Sequence, residues 1–289
     1  MKVSQFTVDK PTTLLQFLAE QLPNTSRTSL KEILAHSVEV DGRRATRHDH
    51  PLKPGNVVTI TRQNQRERQK PRGMEVVYED RHLLVVDKSS GLLTNSRDPR
   101  DTTVIGELNR SAERRGERWH AHVVHRLDRD TSGLLLVAKS KEVARAFELD
   151  WKSTVYDRAY LAVVWGKLDP PQGTYTSWLT DGEFCVLSSP TDNGGKEATT
   201  HYRTMNTSRR YSLVEFRLDT GRRNQIRVHC RALGHPVVHD PMYGYAEDLS
   251  PVKRLCLHAA RLGFTHPVTG KKMSFASPAP AEFDKLLEI

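Results

Sequence analysis

Leu14, Leu15, Phe17, Leu18 and Leu22 recur at helical spacing and predict a short amphipathic helix within residues 12–22. A second helix follows. Ser29 and Glu32 have the spacing of a capping box, and Leu30, Ile33 and Leu34 supply the apolar face. Val38 and Val40 then alternate with polar residues before Asp41-Gly42, a pair suited to a two-residue hairpin turn. Lys53-Pro54-Gly55-Asn56 leads into a strand over residues 57–60. The pattern breaks at residues 61–73, TRQNQRERQKPRG, which contain no aliphatic or aromatic residue and so read as a linker. Beyond residue 75, strands are predicted at 76–78, 83–86, 134–138, 160–165 and 212–218, with helices over 143–151 and 224–233. Several of these strands are apolar on both faces and therefore central. The order predicts an α/β or α+β domain on one large mixed sheet.

Charge sharpens the division. The 289 residues carry a formal charge of +9, and residues 1–72, with 13 basic and 7 acidic side chains, account for +6 of it. Such an excess favours a polyanionic partner. Arg27, Lys31, Arg43, Arg44 and Arg47 cluster around the second helix and the hairpin, where they would track a phosphate backbone or simply form a solvated face. The three cysteines are far apart, with no Cys-x-x-Cys pair to suggest zinc or redox chemistry. No apolar stretch approaches the roughly 18 residues of a membrane span, and the first ten residues lack the apolar core of a signal peptide. A soluble, cytoplasmic protein is expected.

The chemistry concentrates in HRLDRDTSG at 125–133, followed at once by the apolar run 134–138. A short polar loop anchored by a buried strand holds a carboxylate at fixed geometry beside a cleft. The alternative is that Asp128 and Asp130 only pair with Arg126 and Arg129 at the surface. His120, His122 and His125 hint at a metal, but no carboxylate or cysteine set completes a ligand pattern, so no metal is expected.

HRLDRDTSG resembles the signature His-Arg-Leu-Asp-x-x-Thr-Ser-Gly of RluA-type RNA pseudouridine synthases. Other segments similar to that family follow in order: YEDRHLLVVDKSSG at 78–91, RAYLAVVWGK at 158–167, GRRNQIRVHCRALGHPVVHDPMYG at 221–244 and LCLHAARLGFTHP at 255–267. The N-terminal segment resembles the S-four-type RNA-binding domain that often precedes this catalytic domain. The resemblance implies such a domain over residues 1–61, a basic linker over 62–74 and a catalytic domain over 75–289. The implied fold has a large mixed, mainly antiparallel sheet.

It further implies isomerisation of uridine to pseudouridine in structured RNA, ribosomal or transfer, without a cofactor and with no obligatory protein partner. Asp128 is then the essential carboxylate, Arg227 the arginine that pairs with it, and Tyr160 the tyrosine that stacks on the target base. Arg126 is suited to fill the place the flipped base vacates, and Leu257 to wall the uracil pocket. Three positions depart from the family pattern: Ser89 where proline is usual, Asn224 where histidine is usual, and His239 where glycine is usual. The competing functions are a noncatalytic RNA-binding or ribosome assembly factor that keeps the fold, and a glycosidase-like hydrolase, which needs a second carboxylate.

Overall fold

A computed structural model describes residues 2–23, 25, 27–62 and 71–288. The chain divides into two compact units, Met1–Lys70 and Pro71–Ile289. The expected linker falls almost wholly on residues 63–70, which lie outside the described residues.

The first unit runs β1 (Lys2–Thr7), β2 (Thr12–Thr13), α1 (Leu14–Gln21), α2 (Arg27–His36), β3 (Val38–Val40), β4 (Arg43–Arg44), β5 (Pro51–Leu52) and β6 (Val57–Arg62). Its main sheet has the order β1-β6-β3-β4. The predicted apolar positions Leu14, Phe17, Leu18, Leu30 and Leu34 meet Val38, Val40, Val58 and Ile60 in one core. Asp41 and Gly42 take φ of 51° and 75°, the left-handed pair that a tight hairpin between β3 and β4 needs. The capping-box expectation is corrected: α2 already includes Arg27, so Ser29 lies within the helix and not ahead of it.

The second unit continues with β7 (Met74–Glu79), β8 (Leu83–Lys88), α3 (Val104–Arg114), β9 (His122–Val123), β10 (Ser132–Ala138), α4 (Lys141–Leu149), α5 (Trp151–Thr154) and β11 (Val155–Trp165). Then come β12 (Gln172–Asp181), β13 (Val186–Ser189), β14 (Lys196–Thr207), β15 (Tyr211–Leu218), α6 (Gln225–Ala232), β16 (Leu257–Thr265), β17 (Lys272–Ala276) and α7 (Ala281–Leu287). One sheet of 11 strands carries the order β13-β12-β14-β15-β11-β16-β10-β8-β7, with β17 on β16 and β9 on β10. Among the described residues the only parallel pairing of strands in this sheet is β10 with β16, so the sheet is mixed and mainly antiparallel as expected.

The central strands explain their own composition. Successive residues of a strand face opposite sides. Leu84, Val86, Leu135 and Val137 therefore enter the core roofed by α3, α6 and α7, while Leu83, Val85, Leu134, Leu136 and Ala138 enter the one beneath α4 and β17. All seven residues of β10 are buried. Each fully buried Leu or Val contributes about 1.5–3 kcal/mol, so this strand anchors whatever loop precedes it.

That anchor has a steric lock at its first turn. Gly133 takes φ of +108°, and a Cβ there would collide with the backbone carbonyl oxygen and nitrogen of Ala259 on β16. Only glycine permits both the conformation and the approach. Gly133→Ala is therefore expected to destabilise the protein by about 2–5 kcal/mol, from backbone strain and overpacking together. Urea unfolding measures it, and a loss under about 0.5 kcal/mol, the range of ordinary surface changes, would remove the lock from this account.

Candidate active site

The loop between β9 and β10 carries Asp128, and its backbone is held from the segment that follows β8. The Thr94 hydroxyl donates to the Leu127 carbonyl at 2.8 Å and accepts the Leu127 N–H at 3.1 Å. Ser90 Oγ donates to the Asp130 carbonyl at 2.8 Å, and the Gly91 N–H to that of Arg129 at 2.9 Å. Lys88, wholly buried, donates its ammonium to the carbonyls of Arg129 at 2.9 Å, Leu92 at 2.8 Å and Ser89 at 3.0 Å. Burial lowers its pKa to about 8, with Asp130 and Asp128 opposing that fall. Both flanks of Asp128 are thus fixed through main-chain contacts. The serine in place of the family proline takes part: its N–H, which proline lacks, donates to the Gly73 carbonyl at 2.9 Å.

Asp128 opens on a cleft of about 340 Å³, near the lower end of the range for small-molecule sites. All five residues assigned to catalysis or substrate by resemblance line it: Asp128, Tyr160, Arg227, Arg126 and Leu257. They come from the loop before β10, from β11, from α6 and from β16. The sequence reading did not single out Arg158, Arg222 and Arg223, which also line the cleft. All three fall inside quoted motif segments, and their clustering became visible only when the segments were folded together.

The expected pairing of Arg227 with Asp128 is corrected. Among the described residues, Asp128 has no ion-pair partner. Arg227 instead grips Asp240 with two bonds of 2.7 Å, from Nε and Nη2. Asp240 Oδ1 also accepts the N–H groups of Met242 and Tyr243, both at 2.9 Å, so its carboxylate is already oriented for the fork of a guanidinium. Nη1 of Arg227 donates to Asn224 Oδ1 at 3.0 Å, and the guanidinium lies over the Tyr243 ring at 5.2 Å. Two departures from the family pattern flank this cluster. Asn224 and His239 both adopt left-handed φ, 54° and 55°, which is uncommon for residues other than glycine.

Burial raises the pKa of Asp128, and the positive charges of Arg227, Arg126, Arg223 and Lys88 oppose that rise. The charge of Arg227 therefore acts on Asp128 across space, without a bond. Tyr160 is held in its phenol form, its pKa raised by burial and by Asp128 against the pull of Arg158. His125 accepts the Leu136 N–H through Nε2 at 3.0 Å, and burial drives its pKa down to about 3. It is a neutral ring in the wall beside Trp151. The surface alternative holds for one pair only: Arg129 binds Asp130 at 3.2 Å, while Arg126 stays exposed at the cleft.

In the first unit Lys31, Arg43, Arg44 and Arg47 are exposed, and the side chain of Arg27 lies outside the described residues. Arg44 donates to the Ala35 carbonyl at 3.1 Å near the end of α2, and Arg47 pairs with Asp49 at 2.8 Å.

Residues 82–232 match the RNA pseudouridylate synthase family. The chain belongs to that family. The match spans the Asp128 loop and the strands and helix that supply Tyr160 and Arg227. An uncharacterised RNA pseudouridine synthase of Chloroflexus aurantiacus is 34% identical over 284 residues, covering 94% of this chain and 88% of that protein. The ribosomal large subunit pseudouridine synthase D of Xanthomonas campestris is 34% identical over 290 residues, covering 93% and 86%. Among solved structures, human RNA pseudouridylate synthase domain containing 1 superposes with a TM-score of 0.58 at 26% identity, covering 72% of this chain and 84% of that one. The RNA pseudouridylate synthase is therefore an isomerase acting on RNA. Among the described residues no helix is long and apolar enough to cross a membrane.

Asp240 is the buried carboxylate that holds Arg227, and its removal would leave an unpaired buried cation. Asp240→Ala is expected to cost about 3–5 kcal/mol in urea unfolding, as for other broken buried pairs. A cost below about 1 kcal/mol, typical of exposed pairs, would mean that the pair does not organise α6.

Proposed function

We propose that this isomerase converts uridines of large-subunit ribosomal RNA to pseudouridine in the cytoplasm, with Asp128 as its catalytic carboxylate. The observation that carries the reading is the convergence on one cleft of Asp128, Tyr160, Arg227, Arg126 and Leu257 from four separate parts of the chain. The ribosomal target rests on relatives named ribosomal large subunit pseudouridine synthase D, such as those of Xanthomonas campestris and Nitrosomonas europaea.

The reaction breaks the bond between the ribose anomeric carbon and the uracil ring nitrogen, turns the base over and rejoins it through carbon 5, which loses its proton while the freed ring nitrogen gains one. The target must first leave its stack, at a cost of a few kcal/mol that RNA contacts offset. Exposed Arg126 fills the vacated place with its planar guanidinium. Asp128 acts as an anion, either by stabilising or capturing the cation-like anomeric centre or by taking a sugar proton. Tyr160, kept as a phenol, stacks on the base beside the wall formed by Leu257. Arg227 supports the ionised state of Asp128 from its seat on Asp240. The unit before residue 71 is an S-four-type RNA-binding domain in this reading, with Lys31, Arg43, Arg44 and Arg47, together with Arg27, tracking the backbone. No cofactor takes part, since the isomerisation is redox-neutral.

Tritium release from carbon 5 of labelled uridine tests the assignment, using ribosomal RNA from cells that lack this protein. Wild type is expected to release tritium and to leave pseudouridine in the large-subunit RNA, and Asp128→Asn to lower the rate at least about a hundredfold. Release by Asp128→Asn at the wild-type rate would dismiss the carboxylate, and pseudouridine confined to transfer RNA would dismiss the ribosomal target.

The rate should also follow the ionisation of Asp128. Its raised pKa places the acidic limb of the single-turnover profile above the ordinary aspartate range, with activity lost as pH falls through it. Arg223→Gln removes one opposing charge and is expected to move that limb further up. A limb at or below the ordinary range in both proteins would contradict the assignment.

A further inference from the structure

Beside the Asp128 cleft lies a second hollow of about 500 Å³, and the two share Trp151, Arg158 and Leu218 as a common wall. This hollow is formed by α5, by the start of β11, by the middle of β14 and by the end of β15. Its cations are Lys152, Arg158 and Arg217, against one lining carboxylate, Asp219.

The state of those cations is the informative feature. Surface arginines on this part of the sheet are generally matched to acids: Arg217 reaches Asp157 and Glu215, and Arg261 binds the same two carboxylates. Lys152 and Arg158 are different. Among the described residues neither has a carboxylate partner, and the hydrogen bond that Arg158 makes is a donation from Nη2 to the Thr220 carbonyl at 3.2 Å. The Arg158 guanidinium is held in place over the Trp151 ring, at 5.5 Å from its centroid. Asp219, the one acid, is engaged with His201 at 2.9 Å. Two cations without a carboxylate partner thus face a hollow that shares a wall with the active cleft, with an oriented guanidinium on the boundary.

The geometry points to this hollow as a phosphate subsite for the RNA strand where it leaves the Asp128 cleft, taking the phosphodiester next to the flipped uridine. This rests on the reading that the Asp128 cleft receives the target nucleotide. A strand whose base enters that cleft carries its next phosphate past the shared wall, and Arg158 then bridges the two positions. Lys152 is the point charge at the outer side, and Arg217 adds a partly neutralised third cation. Contacts of this kind position the strand without reading its sequence. Asp219 sets an opposing charge that limits the affinity of the subsite.

The test is equilibrium binding of the full chain to a fluorescently labelled oligouridylate, measured by anisotropy over a range of salt. Lys152→Gln is expected to weaken binding about three- to tenfold at low salt and to lower the magnitude of the log–log salt slope by about 1. Asp219→Asn is expected to tighten binding by a similar factor, and Lys285→Gln, on α7 and lining neither hollow, to change nothing beyond error. In tritium release Lys152→Gln should raise KM and leave kcat unchanged. If Lys152→Gln binds as Lys285→Gln does, or if Asp219→Asn binds no more tightly than wild type, the subsite is overturned. If Asp128→Asn keeps full tritium release while the Lys152 and Asp219 effects persist, the catalytic reading of Asp128 falls and the phosphate subsite stands.

Discussion

Removing a carboxylate from water costs several kcal/mol unless nearby charge or hydrogen bonds compensate, and much of this structure is the apparatus that holds the half-buried Asp128 at an open cleft. No residue among those described binds its side chain directly. Compensation comes instead from Arg227, Arg126, Arg223 and Lys88 acting at longer range, and it falls short of the burial cost, so the pKa remains raised. A direct salt bridge would lower that cost further but occupy the oxygens that face the cleft. Tying Arg227 to Asp240 resolves the conflict: the cation is fixed and its charge is felt, while the face of Asp128 stays open.

The same arrangement burdens the fold. A carboxyl whose folded pKa exceeds its unfolded value favours the folded state at low pH, and that contribution disappears as pH rises through the folded pKa. At neutral pH Asp128 is therefore a destabilising group, and its surroundings must be rigid. Rigidity comes from the buried strand β10, from the glycine lock against β16, and from the backbone clamp of Thr94, Ser90, Gly91 and Lys88. Lys88 illustrates the coupling: one buried ammonium both ties down the loop and lends its charge to the carboxylate.

Much of this was legible in the chain. The apolar runs of β8, β10 and β11 announced central strands, because burial on both faces suppresses alternation. The Asp41-Gly42 turn and the helix with Leu14, Phe17 and Leu18 followed from local chemistry alone. By contrast β12 and β14 escaped notice, since their Thr, Ser and His positions pair along a half-exposed sheet and give no apolar signal. Helix α3 was hidden for a related reason: its buried face includes Glu107 and Ser111. At the site, the motif residues all line one cleft, but the partner of Arg227 was not legible. Asp240 lies 13 residues further on, and its competition for the guanidinium depends on the Met242 and Tyr243 amides that orient it. The clamp from residues 88–94 spans more than 30 residues of sequence, and no local pattern encodes such a contact.

The most direct test of this balance is an NMR titration of the Asp128 carboxyl carbon in the free protein, assigned by comparison with Asp128→Asn. A pKa above the ordinary aspartate range, rising further when Arg227 or Arg223 is neutralised, is the predicted result. A pKa at or below that range would mean that a direct partner holds the carboxylate, and would contradict the account of a half-buried carboxylate kept open by distant charge.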